Sequence, residues 1–239
     1  MSTAENIARA QERIARTARR AVTLMAVTKT VAPERILEAY DAGVRLFGEN
    51  RVQEFAEKAA ALTAADAAFH MIGHLQTNKA RKAVELFSGV DSVDSLRLAE
   101  ALNAAVQKQF GTLRPEPQGA RGFQRLPVLI EINLAGEAQK SGLAPSSPDL
   151  EALLEAAPRL NCLDFRGLMC VPPLTEGPEA ARPWFRALRE LRDQIAARQL
   201  SSVGLEVLSM GMTHDFEVAI EEGSTCVRLG TAIFGPRPK

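Results

Sequence analysis

The sequence predicts a (β/α)8 TIM barrel, and three observations carry the prediction. Short apolar runs alternate with longer stretches of helical spacing. Eight such runs occur, at 24–28, 45–48, 69–73, 90–93, 128–133, 163–169, 205–209 and 225–229. Strand-then-helix order implies parallel strands with helical crossovers. Eight units in 239 residues then fall at the compact end of the barrel range. A doubly wound open sheet is the alternative. Strand count favours the barrel, although periodicity does not report closure. The whole chain, 1–239, reads as one α/β domain.

Taken in order, an extra helix at about 3–20 precedes the first strand. The first barrel helix opens at Pro33, where a first turn tolerates proline, and puts Ile36, Leu37 and Tyr40 on one face. Val52, Phe55, Ala56 and Ala59 form a second stripe, and Leu96, Ala99, Leu102 and Val106 a third. Ala181, Trp184, Phe185, Leu188, Leu191 and Ile195 give the clearest helical pattern. The stretch 111–126, with Pro115, Pro117, Gly119 and Gly122, reads as a surface loop.

Hydrophobic residues make up 46% of the chain, enough for a substantial core. Lys+Arg and Asp+Glu both total 29, so nothing global directs the chain to nucleic acid or an anionic membrane. No apolar run is long enough to span a bilayer, and the start lacks the pattern of a secretory signal. Cys162, Cys170 and Cys226 are odd in number and form no CxxC pair, which fits a reducing, cytoplasmic location.

Parallel barrels place reactive groups at the C-terminal ends of their strands. That rule selects Lys29, then Glu49 and Asn50, then His74 and 76–79. It also selects Ser209, Met210 and Gly211 after the seventh strand, and Arg228, Gly230 and Thr231 at the eighth. Alternation points Met25, Val27 and Lys29 the same way. Lys29 is either a desolvated, nucleophilic amine or a rim lysine reaching water. The glycine-bearing ends after strands 7 and 8 suit an anion such as phosphate, aided by a helix opening near His214. Arg228 needs an acceptor, and a structural ion pair is the plain alternative. His70 and His74 span a strand-to-loop junction, which disfavours a two-histidine metal site. Ser209 lies outside any GxSxG motif. No metal ligands are assigned.

Five ordered motifs now stand together: Ala26-Val27-Thr28-Lys29-Thr30, Phe47-Gly48-Glu49-Asn50, Gly73-His74-Leu75-Gln76-Thr77-Asn78-Lys79, Ser209-Met210-Gly211-Met212, and residues 227–235. In these the chain resembles the pyridoxal phosphate (PLP) homeostasis protein family, over nearly its whole length. The resemblance implies a fold-type III PLP-binding barrel like the N-terminal domain of alanine racemase. It implies PLP held as a Schiff base on Lys29, with Ser209, Gly211, Gly230 and Thr231 around the phosphate. It further implies Arg228 at the pyridine nitrogen and Asn50 near the ring. Met169, Met210 and Val27 would pack on the ring, and His74 and Asn78 would shape the rim. Lys140 matches a second lysine of the family and ranks below Lys29. Thr213-His214-Asp215 departs mildly from some members.

The implied activity is that of a PLP carrier or buffer, without catalytic residues, serving apo PLP-dependent enzymes. It is expected to be a cytoplasmic monomer. A donor-only arginine at the ring nitrogen weakens the ring as an electron sink. The chain's one tyrosine, Tyr40, is expected in the core and far from the mouth. A weak PLP-dependent racemase or decarboxylase is the alternative. A third reading is a phosphate-binding barrel enzyme that uses Lys29 without PLP.

Overall fold

The computed structural model describes residues 2–62, 66–111, 114–115, 123–137 and 139–236. Its strands in chain order are β1 (Thr23–Val27), β2 (Leu46–Glu49), β3 (Ala68–Met71), β4 (Gly89–Val93), β5 (Arg114–Pro115), β6 (Phe123–Gln124), β7 (Leu126–Ile132), β8 (Leu163–Cys170), β9 (Val203–Ser209) and β10 (Cys226–Leu229). Eight of them close into a parallel barrel in the order β1-β10-β9-β8-β7-β4-β3-β2. The closing pair runs Thr23↔Cys226 to Ala26↔Leu229. The barrel, not the open sheet, is the architecture. The two-residue strands β5 and β6 pair antiparallel within the stretch expected to be loop. The rest of that expectation, at 112–113 and 116–122, lies outside the described residues.

The crossovers are α2 (Pro33–Asp41), α3 (Val52–Lys58), α4 (Ala80–Leu86), α5 (Leu96–Phe110), α6 (Pro148–Ala156), α7 (Arg182–Ala197) and α8 (Phe216–Glu221), and a one-turn α9 (Thr231–Phe234) follows β10. The extra helix α1 (Thr3–Thr17) ends three residues earlier than expected. Ser2 and Glu5 form a reciprocal capping box at its start, which satisfies donors the first turn leaves open. Ile7, Ala10 and Ile14 form its buried stripe. Because α8 and α9 are short, they leave the barrel wall near β10 thinly covered. α1 packs beside both. Asn6 Nδ2 donates to the Ile233 carbonyl at 2.9 Å, and Arg13 pairs with Glu217 at 2.7 Å.

Two separate sets of side chains fill the molecule. Between strands and helices, Phe47 stacks on Phe69 with centroids 5.0 Å apart, and Phe55 contacts both Phe69 and Phe87 at 4.8 Å. Phe185, Leu188, Leu191 and Ile195 bury the expected face of α7. Inside the barrel, Thr23, Leu46, His70, Asp91, Leu129 and Cys226 line one cavity at the N-terminal end. With Arg166 and Val207 the lining draws on all eight barrel strands, so these side chains face inward. Period-two alternation then brings Met25, Glu131 and Arg228 inward nearer the mouth. Among the described residues, no helix is long and apolar enough to cross a membrane.

Candidate functional site

Lys29 lies two residues beyond the last residue of β1, in a turn at the C-terminal mouth. Thr28 still follows the sheet, its N–H donating to the Gly48 carbonyl at 2.9 Å. Lys29 itself is partly buried. Thr30 follows with φ 60, a left-handed conformation that a β-branched residue rarely adopts. The turn is therefore held in place by its surroundings.

Arg228 is 4% exposed. One guanidinium nitrogen donates to the Ser209 carbonyl at 2.6 Å and to the Ser209 hydroxyl at 2.7 Å. The other terminal nitrogen donates to the Cys170 carbonyl at 2.7 Å. Among the described residues no carboxylate pairs with it within 4.0 Å, so the ion-pair reading of Arg228 does not describe this structure. Dipoles from the ends of β8 and β9 hold the cation instead. Ser209 is correspondingly fully buried, with its hydroxyl engaged by Arg228.

The two glycine-bearing ends meet. Gly211 has φ +94, and a Cβ there would fall 2.6 Å from the Ala219 Cβ, so only glycine fits this bend. Thr213 Oγ1 accepts from the Ala232 N–H at 3.3 Å and from the Thr231 hydroxyl at 3.2 Å. These bonds tie the loop after β9 to the start of α9, directly after Gly230. The helix expected near His214 begins at Phe216. Asp215 precedes it and accepts the Met212 N–H at 2.6 Å, and burial raises its pKa. α8 therefore opens two residues beyond His214, while Gly211, Gly230 and Thr231 come together at this corner.

Asn50 and Glu131 carry the site's unmatched polarity. Asn50 Oδ1 and Glu131 Oε2 are buried with no hydrogen-bond partner among the described residues. Gly73 lets the loop after β2 approach closely, since a Cβ there would lie 2.5 Å from the Asn50 carbonyl oxygen. Glu131 is 8% exposed. Burial, together with the charge of Asp94, raises its pKa to about 7, and Arg228 and His74 offset only part of this. At the rim, His74 Nδ1 sits 2.9 Å from Asp94 Oδ2.

The Glu131 shift has a measurable consequence. The folded state holds this proton more tightly than the unfolded chain. Stability from this group is therefore complete below about pH 4.5 and is lost as pH rises to about 7. The loss is at most about 3 kcal/mol. Denaturation midpoints of the cofactor-free protein, taken across that window, should fall more steeply for wild type than for Glu131→Gln. Parallel profiles would refute the assignment.

Several expected positions land elsewhere. Glu49 is fully buried but faces α3, where Lys58 Nζ lies 2.7 Å from its Oε1. Met210 packs into the helix-side core, because adjacent strand residues cannot both face inward; Met169 is fully buried outside that cluster. Tyr40 is half-buried rather than in the core. Its hydroxyl bonds Asp66 and its ring carries the Arg45 guanidinium at 4.2 Å, both at the N-terminal end of the barrel. Lys140 is held by Glu137 at 2.6 Å and by the Pro172 carbonyl at 3.2 Å. Asn133 Nδ2 donates to the carbonyls of Glu137 and Lys140, so this loop is tied down. Cys162, Cys170 and Cys226 are all buried and free. His70 points into the barrel, 2.8 Å from Asp91. Glu131 and Asp91 escaped the sequence reading, although a lone acid inside an apolar strand run was the available signal.

This arrangement places the chain in a known class. Residues 2–238 match the family model described as the alanine racemase N-terminal domain. An alanine racemase from Clostridium difficile shares the fold at TM-score 0.73 and 13% identity, over 98% of this chain and 58% of that one. Within the class, the chain belongs to the pyridoxal phosphate homeostasis protein family. It is 42% identical to the family member of Aquifex aeolicus, over 99% of each chain. It is 42% identical to that of Pseudomonas aeruginosa, over 99% of this chain and 97% of the other. The solved structure of PipY from Synechococcus elongatus with PLP bound is 35% identical at TM-score 0.83, covering 98% of this chain and 100% of that one.

Proposed function

We propose that this protein binds PLP at the barrel mouth and acts in PLP homeostasis as a carrier or buffer. One domain, 1–239, performs this in the cytoplasm as a single copy, and the recipients are apo PLP-dependent enzymes. Lys29 would supply the covalent attachment. Ser209, Gly211, Gly230 and Thr231 would surround the phosphate, Arg228 would face the pyridine nitrogen, and Asn50 would lie near the ring. When bound, the cofactor supplies an aldehyde for an amine and a ring that can accept electrons.

The observation that carries the reading is Arg228. Among the described residues this buried cation is hydrogen-bonded by carbonyl and hydroxyl oxygens and by no carboxylate. It can only donate. It therefore favours a ligand that accepts there, and a pyridine nitrogen without its proton does so. The orphaned oxygens of Asn50 and Glu131 fit a polar ligand in the same space. Glycine at 211 and 230, joined through Thr213, suits a phosphate end.

The carrier role, rather than enzyme action, is supported by Tyr40. Racemisation needs a proton donor on each face of the substrate Cα. Lys29 can serve one face, and the one tyrosine of the chain lies at the opposite end of the barrel. Incubating PLP-loaded protein with amino acids in heavy water tests this. No stereospecific Cα exchange, together with delivery of PLP to an apo-enzyme, is expected. Stereospecific exchange at a catalytic rate would overturn the carrier role in favour of a weak racemase.

A further inference from the structure

We propose that Glu54 and Lys58 of α3 are positioning residues for Lys29, clamping the backbone on both sides of it. The inference rests on the assignment of Lys29 above and extends it to the residues that prepare the amine.

Lys58 Nζ donates to the Thr28 carbonyl at 2.8 Å, immediately before Lys29. Glu54 Oε1 accepts the Thr30 N–H at 2.5 Å, immediately after it. The two helix residues are joined to each other at 3.2 Å. Lys58 also pairs with Glu49 Oε1 at 2.7 Å, and the Thr28 hydroxyl donates to that same oxygen at 2.5 Å. Lys58 is 9% exposed and Glu49 fully buried. Burial raises the Glu49 carboxyl, and Lys58 and Thr28 pull against it. Burial would raise Glu54 as well, but the Thr30 N–H and Lys58 hold it below its usual range, so it remains an ionised acceptor.

Fastening α3 to β2 would need only the Lys58–Glu49 pair. The additional bonds go to the backbone of the two residues flanking Lys29. The Glu54 bond also holds Thr30 at φ 60, a left-handed conformation that strains a non-glycine residue. Strain of this kind persists only where the surroundings over-determine it. Here Glu54 and Lys58 add to the turn's own bonds, in which the Val31 N–H donates to the Thr28 carbonyl at 3.0 Å and the Thr30 hydroxyl to the Lys29 carbonyl at 2.6 Å.

The chemistry requires such control. The Lys29 ammonium must lose a proton to solvent before its nitrogen can attack the aldehyde carbon. A carbon–nitrogen double bond then forms, and the aldehyde oxygen leaves as water. The rate depends on where the amine is held, and a displacement of about 1 Å can cost on the order of a hundredfold.

The test compares wild type, Glu54→Ala and Glu54→Gln as intact proteins with added PLP. Covalent linkage is followed by absorbance and by borohydride trapping on Lys29, and unfolding midpoints are recorded without cofactor. Glutamine keeps an oxygen for the Thr30 N–H. At saturating PLP, Glu54→Ala should link on the order of tenfold more slowly. The PLP concentration giving half-maximal rate should stay near that of wild type, and Glu54→Gln should recover most of the rate. Linkage by Glu54→Ala at the wild-type rate would overturn the clamp. So would equal slowing in both variants, or slowing matched by weaker initial capture. A wild type that links no PLP to Lys29 would instead overturn the assignment of Lys29, and the clamp with it.

Discussion

Lys29→Ala protein should remain colourless after PLP is added and free cofactor removed, and should yield no borohydride-stable adduct. The amine is the only part of the proposed site that forms a covalent bond, and alanine cannot replace it. Retention should fall at least tenfold, a loss of about 1.4 kcal/mol or more. Reversible binding should survive, because Gly211, Gly230, Thr231 and Arg228 are untouched. The turn is partly exposed, so the cofactor-free variant should unfold within about 0.5 kcal/mol of wild type. The contrast appears with PLP present. A ligand at a hundred times its dissociation constant stabilises by about 2.7 kcal/mol, and the variant should lose about half of that shift or more. A variant that stays yellow through desalting would place the covalent site elsewhere.

Arg228→Ala should show the second large effect, on both stability and binding. The substitution strands the Ser209 carbonyl, the Ser209 hydroxyl and the Cys170 carbonyl without their donor in a buried place. Orphaned acceptors cost about 1–3 kcal/mol each, and relief of the buried charge offsets part of this. A net loss of about 2–4 kcal/mol is expected from denaturant unfolding. Removing the cation also removes an influence that lowers the Glu131 pKa, so that carboxyl should titrate higher still. Binding separates the role of Arg228 from simple instability. At a temperature where the variant is folded, PLP should bind more weakly and with an altered absorption spectrum. An unchanged spectrum and affinity would remove Arg228 from the site.

The barrel was legible because its strands and helices differ in period, and because eight strand-helix units fit one closed layer. The strands fall within two residues of where the apolar runs put them. Closure was not legible, since a run of residues such as 225–229 does not say that it pairs with β1. The length of α1 was misjudged because its basic end, Arg19 and Arg20, continues a helical composition past the last buried turn. Strand-end position and family resemblance together marked Lys29, Asn50, Arg228 and the glycine-bearing loops. The partners of those residues were hidden. For Arg228 the plain alternative was an ion pair with a carboxylate, whereas its partners are two backbone carbonyls, which no side-chain inventory lists, and the Ser209 hydroxyl. Glu54 and Lys58 meet the Lys29 turn only through space, across a helix that reads in sequence as an ordinary amphipathic stripe. Met210 was misplaced although the information was present, since Ser209 facing inward obliges its neighbour to face outward.

The most direct test of the account is a peptide map of the wild-type protein loaded with PLP, reduced with borohydride and digested. The expected result is a single adduct on the peptide carrying Lys29. An adduct confined to Lys140 would keep the cofactor but overturn the site, and a protein with no adduct at all would contradict PLP binding through Lys29 and favour a phosphate-binding barrel of another chemistry.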